Sequence, residues 1–217
     1  MKRGSFLLLM GKKRFARNRQ CGFGKNGKHP VEPKEPPLPE NAFRADTRTN
    51  NGYAETSRHG RYARVAGKLD ALRKEGKKIV FTNGGYDILH PGHVDLLERC
   101  KAQGDVLVLG LNSDESVKRQ GKGDDRPVNP YPVRAFVLAH LESVDFVVRF
   151  DEDTPAKLIE AVQPDVLVKG GDWSVDRIVG RESVQRRGGE VISLPLLQGY
   201  STTALIEKIR RTAPGSR

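Results

Sequence analysis

From Lys78 onward, short unbroken apolar runs alternate with stretches in which apolar residues recur every three or four positions. The runs are 79–81 (IVF), 105–112 (DVLVLGLN), 145–150 (DFVVRF), 165–169 (DVLVK) and a fifth over 189–194. Each has the length of a strand, and near-continuous Val and Leu means burial on both faces. Between them the spacing predicts helices over 93–103, with Val94, Leu96 and Leu97 apolar, and over 131–141, with Val133, Val137, Leu138 and Leu141 on one side. A further helix runs to Val162, capped by Thr154 with Pro155 in the first position, and the last spans 201–211. Val65, Leu69 and Leu72 predict a short amphipathic helix over 61–76, before the first strand. Strands alternating with helices predict an α/β fold with a Rossmann-like, doubly wound, parallel five-stranded sheet.

The first 60 residues break this pattern. They combine many charges with Pro, Gly and Asn and little periodic apolar content, which is the composition of a disordered segment. The Pro- and Glu-rich stretch 30–39 is expected to be extended. The predicted organisation is therefore a disordered basic, Pro-rich extension over 1–60 and a folded domain over 61–217. Charge follows the same division. Residues 1–78 hold 20 Lys and Arg against 7 Asp and Glu, a net +13, whereas 79–217 hold 18 against 20, a net −2. A basic tail can touch nucleic acid, but solvation explains it as simply, and no nucleic-acid partner is expected. Cys21 and Cys100 make no disulfide framework and fit a reducing cytosol. The apolar run 6–10 is too short for a signal core and is followed by Lys12-Lys13-Arg14, not by small residues. No run reaches membrane-spanning length. A soluble, cytoplasmic protein without a membrane partner is expected.

In an open parallel sheet, ligands bind at the carboxyl ends of strands, where the strand order reverses. Four segments fall at such ends. The first is 82–93, TNGGYDILHPGH. Gly84 and Gly85 let a backbone approach an anion closely, and the helix that follows offers free N–H groups. His90 and His93, three apart at a helix start, point the same way and can meet one phosphate; a helix cap and a core histidine are the alternative. The second holds Asp114, which either orients a ribose or sugar hydroxyl or caps the next turn. The loop after it, from Lys118 through Lys122 to Arg126-Pro127, suits a flap over phosphates, although a solvated basic loop has the same composition. The third is Lys169-Gly170-Gly171-Asp172-Trp173, either an anion contact or an ordinary strand exit. The fourth is Gly199-Tyr200-Ser201-Thr202-Thr203, where three hydroxyls open a helix and suit phosphate. A Gly-x-x-x-x-Gly-Lys-Ser/Thr loop, a Gly-x-Gly-x-x-Gly after the first strand, a Gly-x-Ser-x-Gly elbow and zinc-type Cys/His spacing are absent.

Together these residues resemble the nucleotidyltransferases that carry a His-x-Gly-His motif. The D-glycero-β-D-manno-heptose 1-phosphate adenylyltransferases are the nearest look-alikes, both as separate enzymes and as the C-terminal half of a bifunctional heptose kinase/adenylyltransferase. The resemblance covers about 64–211 and rests on TNGGYDILHPGH, LNSDESV, RPVNP with Arg134, FDEDTP, PDVLVKGGDW, GGEV and STTALIEKIR, in that order. It implies a nucleotidyltransferase-type fold and transfer of AMP from ATP to heptose 1-phosphate, giving ADP-heptose and pyrophosphate for lipopolysaccharide assembly. Mg²⁺ is the implied cofactor, with no metal ligand assigned to the protein.

Carried over by motif, His90 and His93 are implied to act on the ATP phosphates, with Lys122 beside them as a third catalytic candidate. Nucleotide binding is assigned to Asn83, Gly84, Gly92, Arg134, Ser201, Thr202 and Thr203. Gly85 joins them from its backbone freedom alone, because the family usually has a larger residue there. Asp87, Asp114, Lys169 and Asp172 are the substrate-binding candidates. The acceptor phosphate is already anionic, so alignment and charge neutralisation should dominate over general-base chemistry. Tyr86 stands where the family usually has Phe. Leu196-Leu197-Gln198 replaces the region where glycerol-3-phosphate cytidylyltransferases carry an Arg-Thr pair, which weakens but leaves open a cytidylyltransferase acting on a polyol phosphate. Residues 1–60 are too few for a sugar-kinase domain, so a separate heptose kinase is expected, and a homo-oligomer as well.

Overall fold

The computed structural model describes residues 58–121, 123, 125–171 and 173–213. The expectations for the 1–60 extension before residue 58, for Cys21, and for Lys122 and Asp172 lie outside the described residues. The elements are α1 (Arg58–Lys74), β1 (Ile79–Gly84), α2 (Pro91–Lys101), β2 (Val106–Asn112), α3 (Asp114–Arg119), α4 (Tyr131–Ala139) and β3 (Phe146–Phe150). They continue with α5 (Ala156–Val162), β4 (Val166–Gly170), a 3₁₀ turn (Val175–Arg177), α6 (Arg181–Arg186), β5 (Glu190–Leu194) and α7 (Thr202–Thr212). All four strand pairings are parallel, in the order β3-β2-β1-β4-β5. This is the doubly wound five-stranded sheet that the alternation predicts. The order reverses between β1 and β4, so the carboxyl ends of those strands, Asn83-Gly84 and Lys169-Gly170, flank the crevice where a ligand is expected.

Two apolar layers sandwich the sheet. Ile79, Phe81, Val108 and Leu167 face α1, α5 and α6, whereas Val80, Leu107, Leu109 and Val166 face α2 and α4. Every residue of β2 is buried, which explains why its sequence is an apolar run without polar alternation. The first helix belongs to this core: Val65 and Leu69 are buried in it. It also reaches the carboxyl edge of the sheet, where Arg61 pairs with Asp151 at 2.7 Å and the Tyr62 hydroxyl donates to Glu152 at 3.1 Å.

Three expectations need correction. The buried side of α4 is Arg134, Ala135, Leu138 and Ala139, and Val137 is exposed. Small alanines let the helix sit close to the sheet, while Val133 is half-buried and Val137 turns away. Pro155 occupies the N-cap place of α5, ahead of its first residue Ala156, and no side chain caps that helix. The cap of α3 is Ser113, whose Oγ accepts from the Ser116 N–H at 3.2 Å, so Asp114 is the first residue inside the helix. Helices α3 and α6, six residues each, escape a periodicity reading because they complete fewer than two turns. No described helix is long and apolar enough to cross a membrane.

Candidate active site

The site begins where β1 leaves the sheet. A Cβ on Gly84 would stand 2.8 Å from the Tyr86 ring, so this close approach requires glycine. Tyr86 itself is buried with a left-handed φ of 43°, a strained conformation for a tyrosine. Its ring centroid lies 5.1 Å from that of His93. The turn delivers His90 to the N-cap place of α2, with Pro91 opening the helix, and sets His93 within the first turn. The two imidazoles stack, with centroids 3.7 Å apart and planes 15° from parallel. Gly92 permits this: a Cβ there would meet His90 Nδ1 and Tyr200 Cβ, each at 3.2 Å.

His90 makes no side-chain cap bond, and Nδ1 of both histidines is buried without a partner. Burial lowers the pKa of both rings, and the neighbouring His90 lowers that of His93 further, to about 4. Near neutral pH the free protein therefore holds two uncharged imidazoles, each able to donate one N–H to an anion.

The last helix completes the anion-facing surface. Ser201 caps α7, its Oγ accepting from the Ala204 N–H at 3.3 Å. Thr202 Oγ1 donates to the Ile88 carbonyl at 3.3 Å, tying α7 to the loop between β1 and α2. Ser201, Thr202 and Thr203 share one open cleft of about 350 Å³ with both histidines. Asn83, Gly84, Gly85, Gly92 and Lys169 line it too. Two helix N-termini and two imidazoles thus converge on one volume, an arrangement suited to a polyphosphate.

Three of the predicted ligand contacts serve the frame instead. The Arg134 side chain is fully buried. It donates to the carbonyls of Gly85 at 2.6 Å, Asn112 at 2.9 Å and Asn129 at 2.9 Å, and to Asp114 at 2.6 Å. Four of its five N–H groups are used, so the expected contact with the nucleotide is replaced by a strut joining the ends of β1 and β2. Asp114 accepts from Arg134 and from the Tyr131 N–H at 3.1 Å, which makes it an anchor for α4. Asp87 lines the cleft, but its carboxylate accepts from Arg126 at 2.6 Å and from the N–H groups of Val128 and Asn129. It pins the loop that carries Arg126. Among the described residues no three His, Cys, Asp or Glu side chains group to hold a metal.

The cleft also contains residues that sequence reasoning passed over. Arg126, marked only as the end of a loop, is nearly buried beside Asp87. Leu196, Leu197 and Tyr200 form an exposed apolar side of the cleft. The sequence clue to them was the absence of the Arg-Thr pair, a negative sign that says nothing of where the replacements face.

A profile described as "Cytidylyltransferase-like" matches residues 81–208, more than half of the chain. The chain belongs to the cytidylyltransferase-like family. The family match runs from β1 into α7 and so contains both converging helix N-termini, whereas α1 lies outside it. Curated relatives are also similar to this chain. "Bifunctional protein HldE" of Nitrobacter winogradskyi is 55% identical over 150 residues, covering 67% of this chain and 30% of the relative. The protein of the same name from Alcanivorax borkumensis is 54% identical over 142 residues, covering 65% of this chain and 30% of the relative. The chain therefore spans about 30% of the length of the relatives it matches. Among solved structures, a lipopolysaccharide core biosynthesis protein from Thermoplasma volcanium is 26% identical, with a TM-score of 0.48, covering 58% of this chain and 99% of that one.

Proposed function

We propose that this domain is an adenylyltransferase that transfers AMP from ATP to D-glycero-β-D-manno-heptose 1-phosphate, giving ADP-heptose and pyrophosphate. The observation that carries the reading is the stacked His90–His93 pair, with orphaned ring nitrogens, facing the same cleft as the Ser201 cap of α7. In the reaction, an oxygen of the sugar phosphate attacks the α-phosphorus of ATP, the bond to the bridging α–β oxygen breaks, and pyrophosphate leaves with that electron pair. The nucleophile is anionic at neutral pH and needs no strong base. Negative charge grows on the departing pyrophosphate, where neutral imidazole N–H groups and the free N–H groups of a helix start are the right donors. Mg²⁺ would enter with the triphosphate, bound by its oxygens and by water.

Support for ATP over CTP comes from Leu196 and Leu197. Both face the cleft and are exposed, and neither offers hydrogen bonds to read the polar edge of cytosine. The 52–55% identity to proteins named bifunctional HldE supports the heptose phosphate. The kinase step that makes the acceptor would lie in another chain or domain, and soluble substrates of this kind put the reaction in the cytoplasm. Pyrophosphate release should be measured with ATP or CTP against heptose 1-phosphate and glycerol 3-phosphate. Turnover with ATP and heptose 1-phosphate should exceed the other combinations by about a hundredfold or more. Activity with CTP and glycerol 3-phosphate alone would overturn the proposal.

A further inference from the structure

A second cavity, of about 370 Å³, adjoins the first: Asn83, Gln120 and Lys169 line both. Its lining is the mixture expected of a small-molecule site, apolar with a few placed polar groups. Leu167 and Ile178 are buried apolar contributors, Trp173 is 51% exposed, and Arg177 supplies a cation. Lys169 stands between the two cavities with its Nζ 5.9 Å from the Trp173 ring centroid.

An independent observation marks this cavity for a ligand. Asn112, the last residue of β2, lines it and is only 1% exposed. Its Nδ2 donates to Ser116 Oγ at 3.0 Å, but its Oδ1 is buried with no partner. Buried acceptors in native structures are almost always satisfied, so this one, on a residue that lines the cavity, calls for a donor from the cavity side, an ordered water or a ligand group that replaces it. A hydroxyl is such a donor. The half-exposed indole of Trp173 on the same cavity suits the C–H face of a sugar ring. Asp114, the sequence candidate for a hydroxyl contact, is occupied by Arg134 and Tyr131, and the available acceptor lies two residues earlier.

We infer that this second cavity is the acceptor subsite. Asn112 Oδ1 accepts a sugar hydroxyl, Trp173 packs against the ring, and Lys169 holds the 1-phosphate at the boundary with the nucleotide cleft. The inference rests on the adenylyltransferase reading for the identity of the sugar, but not for the existence of the site. It assigns acceptor specificity to residues separate from the histidine pair.

Trp173 is the only tryptophan of the chain, so the fluorescence of the full-length protein reports this cavity alone. Titration with heptose 1-phosphate should give a saturable change, and inorganic phosphate or a non-hydrolysable ATP analogue should not. Trp173→Ala should raise KM for the sugar phosphate about tenfold while KM for ATP stays within about twofold. Trp173→Phe should recover most of the loss, because the aromatic face remains. A half-exposed residue should leave the unfolding midpoint unchanged in both variants. Fluorescence indifferent to the sugar phosphate together with an unchanged acceptor KM in Trp173→Ala would overturn the assignment, as would a rise confined to KM for ATP. Saturable fluorescence without turnover would retain the cavity and defeat the activity reading. Turnover with no effect at Trp173 would do the reverse.

Discussion

His90 and His93 are three apart in sequence, but the turn at the start of α2 makes them a pair, stacking the rings at 3.7 Å with two unpartnered nitrogens. Replacing His93 by Ala removes an imidazole that lines the cleft. Turnover should fall by about 10²–10³, the usual loss for a donor aimed at developing charge. The unfolding midpoint should barely move, and steady-state pyrophosphate release beside thermal unfolding would check both. A large stability loss with near-normal turnover would return His93 to the core. At this scale the sequence marked the neighbourhood of the site but not the role of each residue. Asp87, Asp114 and Arg134 lie in the right motifs, yet each is engaged by protein groups. The partners of Arg134 include Gly85 and Asn112, 49 and 22 positions away, so its engagement is invisible until the chain is folded.

Among elements, α1 shows where a motif reading stops short. It precedes the family match at residue 81, yet Leu69 is fully buried against the sheet. Leu69→Ala should lower the free energy of unfolding by about 3 kcal/mol, measured in urea, through lost burial and the cavity left behind. The helix also holds Asp151 and Glu152, directly before Asp153 and Thr154 of the second cavity. The longer helices and all five strands were legible because their apolar periods extend over enough residues to be read. Helices α3 and α6 were not, being six residues each and held by caps and packing more than by a stripe.

For the molecule as a whole, the histidine pair links the site to stability. The folded pKa of His93 lies near 4, against 6.5 for an unperturbed ring. Between those values the unfolded chain binds a proton that the folded chain does not, so stability rises with pH across the window. This contribution is present above about 6.5 and is lost as pH falls toward 4. His90, shifted in the same direction, adds to it. His93→Gln should therefore lose less stability than the natural protein between neutral pH and the middle of this window, as urea unfolding at the two pH values would show. Equal losses would mean that His93 is not held neutral by its surroundings.

The sequence by itself determined the alternation of strands and helices, the parallel sheet and the four segments at its carboxyl end. These follow from local periodicity and from where glycine, proline and hydroxyl residues interrupt it. The tertiary structure alone decided which of the candidate side chains remain available to a ligand. Arg134, Asp87 and Asp114 are consumed by partners brought near through strand order, whereas His90, His93 and Asn112 keep buried atoms without protein partners. The physical reason is that hydrogen-bond satisfaction is settled by contacts distant in sequence. A chain can display a motif without displaying which of its donors and acceptors folding has left unpaired.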